Sequence, residues 1–180
     1  RRQRQMCIRD SNTPTGGDMG AHIVAIDTFI KDFMPNLQIN GWSNDWFGGY
    51  PLYYFYFPLP AIITFIFNLL FPFGIAFKIM VVMSTILVVY SIEKLMRKTS
   101  NQISIYGATA GLFYVFTESF TIYGGNLAST LAGQFSFAYS LAFANLSIFY
   151  LIKSKNSFRF SISSIFLALC LLSHLIPFII

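Results

Sequence analysis

"IAFKIMVVMSTILVVYSIEKL", Ile75 to Leu95, decides how the chain is read. Its length falls within the roughly 17–25 residues that a helix needs to cross a bilayer. Its charges, Lys78, Glu93 and Lys94, stand near its two ends. Three more apolar runs follow: Ile103–Phe120, Gly133–Ile152 and Phe158–Ile180. Helix is the expected state of all four, because an open sheet would leave backbone groups unsatisfied in lipid. Composition agrees: 55% of residues are hydrophobic, 21 are Phe, and 11% are charged. Soluble domains carry about a quarter charged residues. The expected class is an all-α polytopic membrane protein.

The opening "RRQRQMCIRDS", residues 1–11, differs in style from all that follows and resembles translated library-adapter sequence. We set it aside from fold reasoning as an adapter-derived artefact. The net charge then falls from +5 to +2, and the case for a nucleic-acid partner disappears. Cys7 goes with that segment, leaving Cys170 as a small apolar residue inside a helix. The chain stops within the apolar "LIPFII" and is expected to be a fragment cut at both ends.

Basic residues set the orientation. Lys94, Arg97 and Lys98 follow the first span, and Lys153, Lys155 and Arg159 separate the last two. The positive-inside rule places both clusters in the cytoplasm. Residues 12–57 then form an external loop of a multi-pass protein of the cytoplasmic membrane. Between loop and first span, Leu59–Phe71 is apolar but about 20 Å long as a helix, short of the ~30 Å hydrocarbon core. Pro58, Pro60 and Pro72 bracket it, so residues 58–74 read as an interfacial or re-entrant helix. The aromatic "GWSNDWFGGYPLYYFYFP" beside it suits the headgroup level. Asp18 to Met34 has helical spacing, with Ile23, Ile26, Ile30 and Phe33 on one stripe. Asp27 and Lys31 pair on another face. This helix is expected to lie on the membrane surface, polar side up.

The polar residues of interest gather outside the spans. In "GGDMGAH", Asp18 is placed to cap a helix, and also to meet a substrate at the lipid boundary. His22 follows one turn later, and the pair could share a proton, bind phosphate or hold a metal. In "GGNLASTLAGQFSFA", Gly124 to Ala138, Asn126, Ser129, Thr130 and Gln134 offer neutral hydrogen bonds suited to a sugar or phosphate. A small-residue helix contact would explain the same segment. Glu118 and His174 are acid and imidazole groups in or near spans, candidates for a cavity or a helix–helix hydrogen bond. Lys78 could snorkel or meet a lipid phosphate. The chain has no P-loop and no Cys-His cluster.

Taken together, "GGDMGAH", "GWSNDWFGGYPLYYFYFPLP", "GGNLASTLAGQFSFA" and "SHLIP" resemble the membrane family labelled 6-pyruvoyl-tetrahydropterin synthase-related. That family is similar to polytopic GT-C glycosyltransferases, which use polyprenyl-phosphate sugar donors. The resemblance covers almost everything from Thr15 to Ile180. It implies a catalytic acid in the first external loop, at Asp18, and an interfacial element at 59–73. The membrane helix expected before that loop is absent here. An acceptor hydroxyl would lose its proton to Asp18 as it attacks the anomeric carbon. His22, Lys78, His174 or a divalent metal would then steady the departing lipid phosphate. The acceptor would be an envelope glycan, lipid or protein, and the fragment alone is expected to be inactive. The rival readings are a transporter or flippase, with Glu118 and His174 on the pathway, and a non-catalytic envelope-assembly protein.

Overall fold

The computed structural model describes residues 16–45, 48–97, 104–118, 124–152 and 157–179. Residues 1–11 and Cys7 lie outside these, as do Lys98, Lys153 and Lys155. The described chain is predominantly helical. Helix α1 is Met19–Thr28, extended by a π turn, Phe29–Phe33, and a 3-10 turn, Met34–Asn36. Next come a small antiparallel hairpin of β1, Gly41–Ser43, and β2, Tyr50–Leu52, and then α2, Leu59–Asn68. The helices α3, Phe73–Arg97, and α4, Ser104–Val115, follow. A short α5, Leu127–Ser129, runs through a π segment, Thr130–Gln134, into α6, Phe135–Ile152. The chain continues as α7, Ser157–Ser173, and α8, Leu175–Ile179.

Two helical rods, Phe73–Arg97 and Leu127–Ile152, are long and apolar enough to cross a membrane, with mean hydropathies of 2.2 and 1.6. α6 packs between α3 and α7, and α4 lies on α3. The α3–α6 contact is pinned by the buried Tyr139 hydroxyl, which donates to the Met80 carbonyl at 2.7 Å. Phe77 meets Phe135 edge-on at 5.8 Å in the same layer. Serine replaces bulk between α6 and α7: Ser147 and Ser163 exchange hydrogen bonds, and Ser140 lies 3.0 Å from the Cys170 carbonyl. Small hydroxyl residues let helix backbones approach while pairing their own polar groups. Tyr139→Phe should lower stability by about 1 kcal/mol, read as a shifted denaturation midpoint with an unchanged slope.

Several expectations need correction. The α1 stripe packs on the helix-bundle core, with Ile23 and Ile30 partly buried against it. Met19, Ile26, Phe29 and Phe33 are buried in the same core cluster as Phe77, Met80, Phe135 and Tyr139. The π turn adds a residue to the helix where Phe29 and Phe33 both turn inward, and Tyr53 closes on Phe29 at 5.3 Å. The Asp27–Lys31 pair forms at 2.6 Å. Asp45 ties the hairpin to α1, accepting from the Thr28 hydroxyl at 2.9 Å.

Among the described residues, the 103–120 run yields the twelve residues of α4, about 18 Å, because the chain leaves the helix after Val115. There the Asn126 carboxamide N–H donates to the Thr117 carbonyl at 2.8 Å. The second rod begins at Leu127 rather than Gly133, and Gly133 breaks it with φ 112°. The last run is broken at His174, whose Nδ1 accepts the Ile176 N–H at 3.2 Å. α2 has ten residues, about 15 Å, and buries the face formed by Leu59, Pro60, Ala61 and Thr64.

Candidate functional site

Gly17 and Asp18 meet the backbone of Ala132 and Gly133, over a hundred residues away in sequence. The Asp18 N–H donates to the Ala132 carbonyl at 2.8 Å. Gly17 has φ 49°, and a Cβ there would be pressed into the same carbonyl oxygen. A Cβ on Gly133 would lie 3.1 Å from the Asp18 Cβ and 3.2 Å from the His22 ring. Only glycine leaves room for the two strands of backbone at these positions. The two polar motifs thus form one feature, in which the Gly133 break presents the Ala132 carbonyl to the start of α1.

Asp18 occupies the N-cap position of α1, yet its side chain makes no capping bond. Its carboxylate is exposed at a pocket of about 360 Å³. One wall is the α1 face of Asp18, Ala21, His22 and Ala25, at the spacing of a single helical stripe. The two alanines make the space. The other wall is the β2 pair Tyr50 and Leu52, two residues apart and so on one face of the strand, with Tyr56 beyond them.

His22 sits deeper, edge-on to Phe135 at 4.8 Å and tilted against Tyr56 at 5.6 Å. Burial pushes its imidazole below the ordinary value, against the opposing effects of the Asp18 charge and a hydrogen bond to the Gly133 backbone. His22 is therefore neutral near pH 7, a hydrogen-bonding group rather than a cation. Burial, with the nearby Asp18 charge, pushes the Tyr56 phenol up, so it remains a neutral donor.

The sign of the His22 shift gives a pH prediction. The unfolded chain takes up the proton near pH 6.5, before the folded chain does. Stability is level above that pH, falls as pH drops below it, and levels off again beneath the folded value. A melting-temperature series from pH 8 to pH 5 should show this fall in the wild type and a smaller one in His22→Gln. Equal slopes would remove His22 as its source.

The other candidates divide. Asn126 is buried and accepts the Ser129 N–H at 2.8 Å, and the Thr130 hydroxyl donates to the Asn126 carbonyl at 2.8 Å. These groups hold the turn that leads to Gly133. They support the site and do not line it. Gln134, next to Gly133, is half-buried. Lys78 is exposed on α3, and Glu118 is exposed past the end of α4; neither lines the pocket. His174 is reached through an aromatic link, with Phe57 5.3 Å from its ring and adjacent to Tyr56 in the chain. Among the described residues no group of three or more His, Cys, Asp or Glu gathers that could hold a metal. Asp18 and His22 could supply two ligands there at most.

Sequence reasoning missed Gly17, Ala132, Gly133, Tyr50 and Tyr56 as site residues. The density of aromatic residues from Tyr50 to Phe57 was the available signal for the tyrosine wall. The class these features define is a helical protein with two membrane-length rods and an acidic, aromatic pocket at one end of its core. No family model, curated protein or solved structure matches the chain.

Proposed function

We propose that the protein is a multi-pass membrane glycosyltransferase of GT-C type, acting on a sugar carried by polyprenyl phosphate. Residues 12–57 face the outside of the cytoplasmic membrane. Asp18 takes the proton of the acceptor hydroxyl as its oxygen bonds to the anomeric carbon, and the bond to the lipid phosphate breaks with its electrons on the phosphate. The observation that carries this reading is the Asp18 carboxylate, left uncapped at the pocket while its backbone is clasped to Ala132.

The pocket walls suit such a substrate. Tyr50 and Tyr56 offer aromatic faces for the C–H side of a sugar and hydroxyls for its polar edge. Neutral His22, its one N–H engaged with the Gly133 backbone, offers its other ring nitrogen as an acceptor for a sugar hydroxyl. A lipid setting is supported by the outer faces of the helices. Val82, Ile86 and Tyr90 are exposed on α3, and Phe158, Phe160, Ile165 and Leu167 on α7. Apolar exposure on this scale is costly in water.

The test is a transfer assay on the full-length protein in proteoliposomes, with a panel of polyprenyl-phosphate sugars. Transfer of labelled sugar to acceptor is expected. Uptake of the sugar into vesicles without transfer would replace the proposal with transport. The absence of both, and of donor binding, would leave a non-catalytic assembly role.

A further inference from the structure

A second cavity, of about 660 Å³, lies between α3 and α4 and shares no wall residue with the Asp18 pocket. Its origin is a close helix contact. Gly107 and Gly111 face α3 so tightly that a Cβ on Gly107 would lie 3.0 Å from Met96 Cβ and one on Gly111 3.1 Å from Val89 Cα. Flanking that seam, Ile86, Tyr90 and Lys94 form one wall at i, i+4, i+8. Ile105, Leu112 and Phe116 stand opposite. The trough extends about 17 Å along α3, comparable to a fatty acyl chain.

Its charge is confined to one end. Arg97 is held by Glu93 at 2.6 Å, which largely cancels that pair. Lys94 sits over the Tyr90 ring at 5.3 Å and supplies the net positive charge at the mouth. A hydrocarbon trough whose described residues carry net positive charge at one end is complementary to an amphiphile with an apolar tail and an anionic head. We infer that it binds one acyl chain of an anionic phospholipid, with the phosphate beside Lys94. The inference rests on the membrane reading above and not on sugar transfer.

Native mass spectrometry of the detergent-solubilised protein tests it, with phosphatidylglycerol, phosphatidylcholine and palmitate offered at equal concentration. One phosphatidylglycerol should be retained, with a preference of about fivefold over phosphatidylcholine from a single cation. Leu112→Trp should fill the trough and abolish retention of both lipids. Ala108→Leu, a smaller filling from the same wall, should weaken it and guards against a misfolded tryptophan variant. Lys94→Gln should level the preference while keeping the lipid. Equal retention of the two phospholipids by the wild type, palmitate competing as well as phosphatidylglycerol, or indifference to Leu112→Trp would each overturn the inference. So would a lipid-free dimer that Leu112→Trp dissociates, which would give the trough to a second copy of the chain. Release from membranes by alkaline carbonate would remove the membrane reading and this inference with it, whereas loss of transfer in an Asp18 variant would leave lipid retention unchanged.

Discussion

Asp18→Asn is expected to lower sugar transfer by about 10²–10⁴-fold, the range lost with a positioned general base. The substitution keeps the size and shape of the side chain and removes its charge, and with it the ability to take a proton. The bonds that fix this position belong to the backbone: Asp18 N–H to Ala132, and the Asp18 carbonyl accepting from the His22 N–H at 3.1 Å. Both survive in Asn. Because the carboxylate makes no capping bond, stability should stay within about 0.5 kcal/mol of wild type. Initial rates with labelled donor and a thermal melt on the same preparation separate the two effects. Turnover within a few-fold of wild type would take Asp18 out of the chemistry.

The second large effect is conformational. Gly17→Ala should destabilise the protein by about 2–4 kcal/mol, combining backbone strain with a lost hydrogen bond. The new methyl meets the Ala132 carbonyl, the acceptor for Asp18 N–H, and cannot be accommodated without opening that bond. Two neighbours serve as controls. Gly16 has φ 129° but nothing within 4 Å of a Cβ, so Gly16→Ala should cost strain alone. Gly20 lies within α1 with open space around it, and Gly20→Ala should stabilise by about 0.5–1 kcal/mol. Chemical denaturation should therefore rank Gly20→Ala above wild type, then Gly16→Ala, then Gly17→Ala. If Gly17→Ala were no worse than Gly16→Ala, the contact between the two motifs would not exist in solution.

The long helices were legible because length and hydropathy are properties of a run taken alone, as in Ile75–Leu95. The short α2 was legible for the same reason, from prolines and an apolar run too brief to span. What escaped depends on contacts between distant segments. A glycine inside an apolar rod reads alike whether it continues the helix or breaks it, so the conformation of Gly133 is set by the α1 start packed against it. Asp18 looked like a cap because its sequence neighbours favour one. Its carboxylate was left uncapped while its backbone was committed to Ala132. The hairpin strands are three residues each, too short for alternation to register. The α1 stripe showed an apolar face but not what would cover it: helix-bundle core and open interface make the same demand on a sequence.

The clasp between Asp18 and Ala132 also orders events during synthesis. The ribosome adds about 5–20 residues per second. The acidic motif therefore waits on the order of ten seconds for the carbonyl that will hold it. Until then α1 has no distal anchor, and its buried face of Met19, Ile26 and Phe29 lacks the Phe135 and Tyr139 surface it finally covers. A nascent chain arrested before residue 132 would carry the acid and the pocket walls without the carbonyl that fixes them. The protein becomes competent late, when the second rod arrives.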